Sequence, residues 1–298
     1  MSFKDVLNSL SDDPNLRVLT EEESNKLKQT LLDNYLIIQE YCRTHDLSVM
    51  MVGGSALGAI RHKGFIPWDD DMDIAMPRED YNVFCKNFER DLGDRFALDA
   101  PNTSIKSSNR FPKILIKNTR LVELGMRDDD EKACIKIDLF IIENIPKNFF
   151  VRFLHGFICS LMMYIAGQVD TYEEQDERFQ EFMFKSEEGK RIYNTRKRIG
   201  KMFSFLPAYK WFNIVDKACQ YKRETGVKGI PTGRKHYFGE ILPSKSFVPI
   251  SNADFEGYKV NVPGNPDSYL SNLFGDYMTI PKISEREKHF IYDIKFKS

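Results

Sequence analysis

The sequence predicts an α+β fold of the α/β type, in which helices flank a mixed sheet and a further helical segment is inserted. Three short apolar runs, at residues 49–52, 72–76 and 134–142, have the length and composition of strands. An amphipathic pattern precedes the first of them, and residues 146–226 show helical spacing with few strand signals. The two patterns together indicate a helix-covered sheet rather than an all-helical or all-β protein.

The first predicted helix begins after Thr20. Thr20 and Glu23 have the spacing of a capping box, in which each side chain accepts a hydrogen bond from the backbone of the other. Apolar residues then recur every three or four positions until the chain turns near His45. These positions are Leu27, Leu31, Tyr35, Ile38 and Cys42. One face of this helix is therefore expected to pack against the sheet.

The strands follow in order. Residues 49–52 form a short apolar run that Gly53 and Gly54 close, which predicts a buried strand, a tight turn and a short helix over 55–61. Residues 72–76 and 134–142 are expected to be strands, and in the second of these apolar and polar residues alternate around Asp138. Residues 114–116 are expected to add another strand.

The chain is expected to divide into three parts. Residues 1–145 would form the catalytic core with its N-terminal helix, and residues 146–228 a helical insertion or subdomain. Residues 229–298 are rich in Gly and Pro, which predicts a loop-rich segment with short strands that completes the core and the acceptor site.

Composition limits the partners of the protein. In a chain of 298 residues, 43 Lys and Arg balance 44 Asp and Glu, so no general positive field favours nucleic acid as a partner. The five cysteines are far apart and include no Cys-x-x-Cys pair, which argues against a zinc knuckle or a redox motif. The N-terminus lacks the pattern of a secretory signal, so we expect a cytoplasmic protein.

A cluster of carboxylates is the main chemical signal. Asp69, Asp70, Asp71 and Asp73 occupy four of five positions directly ahead of an apolar segment. If this segment is extended, side chains two apart share one side, and Asp69, Asp71 and Asp73 converge. Convergent carboxylate oxygens are ligands for Mg²⁺ or Mn²⁺.

Two other interpretations of this cluster are a solvated acidic turn and a calcium-binding loop. The calcium loop fits poorly, because its sixth position, normally Gly, is Ile74 and its twelfth, normally Glu, is Asp80. A third carboxylate on a separate strand would complete a site for two metal ions, and Asp138 is the best candidate. Asp71, Asp73 and Asp138 are therefore predicted to be the catalytic and metal-binding residues.

Gly53, Gly54 and Ser55 lie between a predicted strand and a predicted helix. Exposed backbone N–H groups and a hydroxyl at such a place can hold phosphate oxygens. Alone, Gly-Gly-Ser is as consistent with a plain tight turn. The order strand, Gly-Gly-Ser, helix and then the Asp cluster favours a phosphate site.

Residues 53–73, which read GGSALGAIRHKGFIPWDDDMD, closely resemble the LicD family of phosphotransferases, related to fukutin and fukutin-related protein. Weaker similarities follow at 76–81, at Lys113 before 119–123, at 137–140, and at 274–278 before His289. The resemblance implies a nucleotidyltransferase-like fold. It also implies transfer of phosphocholine, glycerol phosphate or ribitol phosphate from a CDP-alcohol to a sugar hydroxyl of a cell-surface glycan or lipid-linked glycan, with release of CMP.

Further residues are candidates for contacts with the substrates. Arg61, His62 and Lys113 are candidate cationic contacts to the diphosphate, and the resemblance favours Arg61 and Lys113. Asp138 or a water molecule on the metal would take the proton of the acceptor hydroxyl. Asp69 and Asp70 are expected to lie next to the metal ligands, and Asp276 is expected to shape the site from the C-terminal segment.

Three other functions remain open from the residues alone. These are a nucleotidyltransferase that moves NMP onto a small molecule, a metal-dependent glycosyltransferase of the Asp-x-Asp type, and a non-catalytic calcium-binding module. A glycosyltransferase would need neither Gly-Gly-Ser at an earlier strand end nor Asp138. NMP transfer would release pyrophosphate instead of CMP.

The segment 149–167 is almost wholly apolar and nearly long enough to span a bilayer. Arg152, His155 and Cys159 share one helical side, which favours an amphipathic helix that packs on a core or lies at an interface. We expect peripheral membrane contact through residues 149–212, at the inner face of the membrane.

Overall fold

The structure is a computed structural model that describes residues 17, 19–124, 126, 130–174, 177–282, 286 and 291–296. His289, one of the family-like positions, lies outside the described residues. The α-helices are α1 (Glu21–Thr44), α2 (Gly53–Leu57), α3 (Arg78–Leu92), α4 (Phe149–Glu173), α5 (Glu177–Phe184), α6 (Glu187–Phe203), α7 (Ala208–Cys219), α8 (His236–Gly239) and α9 (Pro266–Phe274). The strands are β1 (Met50–Met51), β2 (Asp73–Pro77), β3 (Phe96–Asp99), β4 (Lys113–Ile116), β5 (Arg120–Glu123), β6 (Lys136–Asn144), β7 (Val227–Gly229), β8 (Ile241–Pro243), β9 (Ser251–Phe255), β10 (Tyr258–Val262) and β11 (Ile291–Lys295).

Helix α1 has the predicted capping box. Thr20 Oγ1 accepts a hydrogen bond from the Glu23 backbone N–H at 3.2 Å, and a Glu23 carboxylate oxygen accepts one from the Thr20 N–H at 3.0 Å. The helix ends at Thr44, and His45 is its C-cap residue. All five residues of the predicted apolar stripe are buried in the main hydrophobic core. The predicted helix is therefore confirmed in its extent and in the face that it buries.

The main sheet contains seven strands and is mixed. Five of them lie in the order β1, β2, β6, β4, β3. Strand β7 pairs with the C-terminal end of β6 and also with β8. Strands β2 and β6 are parallel, and the other pairs are antiparallel. The predicted α+β class is confirmed, as are the predicted strands near residues 49–52, 72–76, 114–116 and 134–142.

The register of the central strands aligns three charged residues. Asp73 on β2 is directly opposite Asp138 on β6, and Asp138 is opposite Lys113 on β4. Residues in register on neighbouring strands project to the same face of a sheet. Asp73, Asp138 and Lys113 therefore form one row across three strands, on the face opposite the buried Ile137 and Leu139.

Helices α4, α6 and α7 pack together beside the sheet. Their core contains Cys159, Ile165 and Trp211 and extends to Ile145 at the end of β6. Helices α4 and α6 approach closely at Gly200, where a Cβ atom would overlap the backbone oxygen of Gln168. The chain then returns to the sheet through β7, which pairs with the end of β6.

A buried ionic group joins the helices to the core. The Arg78 guanidinium donates to Glu143 on β6 and, at 2.7 Å, to Asp216 on α7. Burial raises the pKa of Glu143 to about 7, although Arg78 opposes this shift. Arg78 therefore fixes α7 to the end of β6, and it is the partner on which both buried carboxylates depend.

The apolar side of α4 faces outward. Phe150 is 79% exposed, and Phe153, Phe157 and Leu161 on the same side are also exposed. The opposite side, which includes Cys159, packs against the protein, and His155 bonds to the Tyr237 hydroxyl at 2.7 Å. Among the described residues, α4 is the helix whose length and composition would allow it to cross a membrane.

Candidate active site

Asp73 is held by the segment that contains Gly53, Gly54 and Ser55. The Asp73 backbone N–H donates to Ser55 Oγ at 2.9 Å, and the Val52 N–H donates to the Asp73 carbonyl at 3.0 Å. The Gly54 N–H donates a hydrogen bond to the Asp73 carboxylate. This segment therefore positions the first residue of β2.

The sequence placed Gly53 and Gly54 in a turn before a helix, but they are the first two residues of α2. The helix then continues as a π-helical turn over Gly58–His62. The Gly53 N–H donates to the Tyr269 hydroxyl at 3.1 Å. The backbone groups expected to hold phosphate are thus engaged with Tyr269 and Asp73, and a phosphate-binding role for Gly53, Gly54 and Ser55 stays a prediction.

The two glycines make room for carboxylates. Gly53 has a φ of +53°, and a Cβ atom there would collide with the Asp73 carboxylate. A Cβ atom on Gly54 would lie 2.7 Å from Asp69 Oδ2. Real Cβ contacts are essentially never this short. A residue larger than Gly at either position would collide with the carboxylate of Asp73 or Asp69, which explains the Gly-Gly pair.

The Asp cluster lies mainly in a loop. The sequence predicted that the Asp cluster lies in an extended segment with alternating side chains, but β2 begins only at Asp73. Asp69, Asp71 and Asp73 nevertheless line one cavity. Asp70 is not among the residues that line it, and its charge acts on Lys28 of α1. The predicted convergence is found, but the loop before β2 produces it.

Asp138 completes the group. A cavity of about 630 Å³, which we call the carboxylate cavity, is lined by Asp71, Asp73 and Asp138 together. The Asp138 Oδ1 atom is buried and has no hydrogen-bond partner among the described residues. Burial, followed by the charges of Asp71, Asp138 and Asp69, raises the pKa of Asp73 well above its ordinary value. Such a cluster is stabilised by a cation.

The carboxylates suit a divalent ion that also binds phosphate. Among the described residues, no three His, Cys, Asp or Glu side chains already form a set that could hold a metal ion. Mg²⁺, however, is commonly held by one or two carboxylates, with phosphate oxygens and waters supplying its other ligands. The unpartnered Oδ1 of Asp138, directly across from Asp73, fits that mode of binding.

The carboxylate cavity is also lined by residues that were not predicted from the sequence to belong to the site. They include Arg110, His236 and Glu240. Burial lowers the pKa of Arg110, and the charges of Asp138, Glu240 and Asp73 oppose this shift. Burial raises the pKa of Glu240 to about 6. These residues lie singly in loops or beside a very short helix, where no spacing pattern identifies them.

A second cavity of about 460 Å³ is also lined by Asp71 and Asp73, and we call it the arginine cavity. Its lining contains three arginines, Arg61, Arg234 and Arg286. Asp276, from the segment after α9, also lines it and accepts a hydrogen bond from Thr279 Oγ1 at 2.7 Å. Two of the predicted residues, Arg61 and Asp276, are therefore next to the Asp cluster.

His62 is placed differently. Its Nε2 atom accepts a hydrogen bond from Arg61 Nε at 3.0 Å, and its ring packs edge-on against Trp68. His62 is not among the residues that line the carboxylate or arginine cavity. Arg61 itself donates to the Tyr277 carbonyl oxygen at 2.7 Å. The structure therefore places Arg61 in the lining of the site, whereas His62 contacts Arg61 and lines neither cavity.

Lys113 lies in a third cavity. This cavity, also about 630 Å³, is formed between residues 108–113 and helices α4 and α6, and we call it the helical cavity. Four residues line both the helical and the carboxylate cavities, namely Arg110, Phe111, Arg196 and His236. The carboxylates therefore lie between the arginine cavity and the helical cavity.

Part of this chain matches the model of a known protein family. Residues 46–126 match the family model described as LicD/FKTN/FKRP, nucleotidyltransferase domain. The matched region includes Gly-Gly-Ser and the Asp cluster and ends before Asp138.

Two curated proteins are similar to this chain. Lipopolysaccharide cholinephosphotransferase LicD of Haemophilus influenzae is 23% identical over 290 residues, which cover 93% of this chain and 98% of that protein. An uncharacterised protein of Rickettsia typhi is 32% identical over 62 residues, which cover 21% of this chain and 19% of that protein.

Proposed function

We infer from these matches that the chain is a LicD-family phosphotransferase, as its sequence predicts, and propose that it moves an alcohol phosphate from a CDP-alcohol to a sugar hydroxyl of a cell-surface glycan. Phosphocholine, glycerol phosphate and ribitol phosphate are the candidate groups. The observation that carries the proposal is the shared cavity of Asp71, Asp73 and Asp138, which adjoins two further cavities whose linings contain arginines.

We propose that Asp71, Asp73 and Asp138 bind Mg²⁺ or Mn²⁺, with two ions as the preferred number. The bound ion would offset the negative charge of the phosphate oxygens and of the carboxylates around them. The unpartnered oxygen of Asp138 and the raised pKa of Asp73 support this proposal.

The arginine cavity is proposed to hold the CDP part of the donor. Arg61 and Arg234 line it beside Asp71, so a diphosphate there would meet cations next to the carboxylates. Arginine suits phosphate because its guanidinium can donate two parallel hydrogen bonds. The contacts of Gly54 and Ser55 support an indirect role for Gly-Gly-Ser, in which it positions Asp73.

In the proposed reaction, the acceptor hydroxyl oxygen forms a bond to the phosphorus that carries the alcohol. The bond from that phosphorus to the bridging oxygen breaks, and CMP leaves with the bridging oxygen. Asp138 lines the cavity and is the proposed acceptor for the hydroxyl proton, through a carboxylate oxygen that the bound ion leaves open. Arg110 would stabilise the charge on the transferred group from the same cavity.

A nucleotide-release assay tests this proposal against the alternatives. Purified protein is incubated with Mg²⁺, an extract of cell-surface glycan, and CDP-choline, CDP-glycerol or CDP-ribitol. We expect CMP release and a labelled glycan with one of these donors. Release of pyrophosphate from CTP would indicate NMP transfer, and release of UDP from a UDP-sugar would indicate a glycosyltransferase; either result would contradict the proposal.

Two variants give this assay its controls. Asp71→Asn removes a negative charge at nearly constant shape and should reduce turnover at least about 100-fold while the protein stays folded. Asp94→Asn makes the same change at an exposed turn between α3 and β3 and should leave turnover unchanged. Undiminished turnover in Asp71→Asn would contradict a role for the Asp cluster.

We further propose that the enzyme works in the cytoplasm, at the inner face of the membrane. The apolar side of α4 supports this location. Nine large apolar residues between Phe149 and Tyr164 are exposed on this helix. Monomeric soluble proteins rarely expose an apolar patch of such size, and a lipid surface would cover it. Because the other side of α4 packs on the protein, we favour a helix lying in the interface over one crossing the bilayer.

Vesicle binding tests the membrane contact. We expect the protein to sediment with anionic phosphatidylglycerol vesicles and the Phe153→Ser/Phe157→Ser variant to lose at least about tenfold in affinity, since each buried Phe contributes about 1.5–3 kcal/mol. Val83→Ser, at an exposed apolar residue of α3, is the matched control. Equal binding by the wild type and the double variant would exclude this surface.

A further inference from the structure

The helical cavity provides a second approach to the carboxylates. It shares Arg110, Phe111, Arg196 and His236 with the carboxylate cavity, whereas it shares no lining residue with the arginine cavity. Displacement at phosphorus places the attacking and leaving oxygens roughly in line, on opposite sides. A donor bound in the arginine cavity would therefore be attacked from the helical cavity.

Gln168 of α4 has an unused hydrogen-bonding group at this cavity. The residue is 4% exposed, and its Nε2 donates to the Tyr164 carbonyl oxygen at 3.1 Å. Because that partner is a carbonyl, the bonded end of the amide must be the NH₂ group. The other end, Oε1, is buried with no hydrogen-bond partner among the described residues. An unsatisfied buried acceptor is costly, and a donor from a ligand would satisfy it.

The lining of the helical cavity is cationic. Arg110, Lys113 and Arg196 line it, and none of its lining residues is Asp or Glu. Arg196 is held in place by the Gly167 carbonyl at 3.0 Å and the Thr171 hydroxyl at 2.8 Å. Lys113 lies opposite Asp138 in the sheet and also lines the cavity. A cavity with this charge favours an anionic ligand.

Aromatic side chains complete the wall. Phe111, Tyr164 and Phe212 line the cavity, and Tyr164 is 52% exposed on the outward side of α4. Apolar ring faces beside hydrogen-bonding groups suit a sugar, which has both apolar and hydroxylated faces. The volume of about 630 Å³ is in the range of small-molecule sites.

We propose that the helical cavity binds the acceptor, that the acceptor is a carbohydrate bearing phosphate or carboxylate groups, and that Gln168 accepts a hydrogen bond from one of its hydroxyls. A small rotation of the terminal amide of Gln168, about a torsion that is broad in energy, brings Oε1 to a bound hydroxyl. Arg110, Lys113 and Arg196 bind the anionic groups. This inference rests on the proposed function, because it takes the arginine cavity as the donor site.

The test measures acceptor and donor kinetics separately. The acceptor probe is core oligosaccharide released from lipopolysaccharide, used intact and after its phosphates are removed with hydrogen fluoride. The variants are Gln168→Leu, which keeps the volume but loses the amide, and Lys113→Gln. Gln29→Leu is the matched control, because Gln29 is exposed on α1 and bonds only to Asp33.

We expect Gln168→Leu to raise the KM for the intact oligosaccharide about tenfold and to leave the KM for the CDP-alcohol within twofold. Removal of phosphate from the oligosaccharide should raise the acceptor KM of the wild type about tenfold or more. Lys113→Gln should reduce the difference in KM between the intact and the dephosphorylated oligosaccharide. Gln29→Leu should behave as the wild type.

Three results would overturn the inference. The first is an unchanged acceptor KM in Gln168→Leu. The second is a raised donor KM instead, which would make the helical cavity a donor site. The third is equal KM values for the two oligosaccharides with the wild type, a result that does not depend on any variant folding. If the wild type releases no CMP from any CDP-alcohol, the proposed function fails, and direct binding of the two oligosaccharides then decides the inference alone.

Discussion

The replacement Asp138→Asn should make the metal-free protein more stable and abolish its activity. Asp73 and Asp138 are directly opposite each other on β2 and β6, and the charge of Asp138 contributes to the raised pKa of Asp73. In the absence of a cation, these like charges repel each other. An amide in place of the Asp138 carboxylate removes that repulsion and retains the shape of the side chain.

The magnitude follows from the spacing of the strands. Neighbouring strands lie about 4.8 Å apart, so two unit charges at about 5 Å repel by about 3 kcal/mol at an effective dielectric constant of about 20. The attraction between Asp138 and the buried Arg110, which the amide also removes, reduces the effect. We expect a gain of about 1–3 kcal/mol, which corresponds to a rise of about 2–6 °C in Tm.

Thermal unfolding in EDTA and in Mg²⁺ measures this effect, together with CMP release. In EDTA the variant should melt above the wild type, whereas Mg²⁺ should stabilise the wild type more than the variant. Turnover should fall at least about 100-fold. Asp94→Asn serves as the exposed control. A variant that melts below the wild type in EDTA, or that keeps a tenth of the activity, would refute the reasoning.

Three further predictions concern single contacts. Gly54→Ala should displace the Asp69 carboxylate, lower turnover at least about tenfold and cost about 1–3 kcal/mol in urea unfolding; wild-type kinetics would show that the loop adjusts. Burial raises the pKa of Asp170 to about 7, so its folded state binds a proton more tightly than the unfolded chain does. The stability that Asp170 contributes below about pH 4 should therefore be lost as the pH rises through 7, by at most about 1.4 kcal/mol per pH unit. Asp170→Asn should lack this contribution to the slope in urea unfolding, whereas the contributions of Glu143 and Glu240 remain. An identical slope in both proteins would exclude Asp170 as its source. Arg78→Met should cost about 3–5 kcal/mol, because it leaves Glu143 buried without its partner, and Arg78→Met/Glu143→Gln should recover part of this loss.

Local patterns predicted much of the fold. The capping box at Thr20, the apolar stripe of α1 and the alternation in β6 each report on neighbours within a few residues, and each is found as expected. The parallel pairing of β2 with β6 is different, because their residues are separated by β3, β4 and β5 in the chain. No short-range pattern specifies which strands become neighbours.

Asp71, Asp73 and Asp138 line one cavity, as their predicted convergence requires, but the reason given for the convergence was wrong. Asp69 and Asp71 reach the cavity from a loop, which sequence periodicity does not describe. Arg110 and Gln168 were missed for a related reason. Each is a single polar residue in an ordinary local context, and only the fold shows that it lines the helical cavity.

The close packing of α4 and α6 at Gly200 has a consequence for how new specificities can arise in this scaffold. The helices supply Gln168 and Arg196 to one cavity, whereas Asp71, Asp73 and Asp138 belong to the sheet and the loop before it. Exchange of residues 149–219 as one block would keep Gly200 matched to the helix against which it packs. Such chimeras would change which glycan is modified and leave the cleavage of the activated alcohol intact, so that the two halves of the reaction can diversify independently.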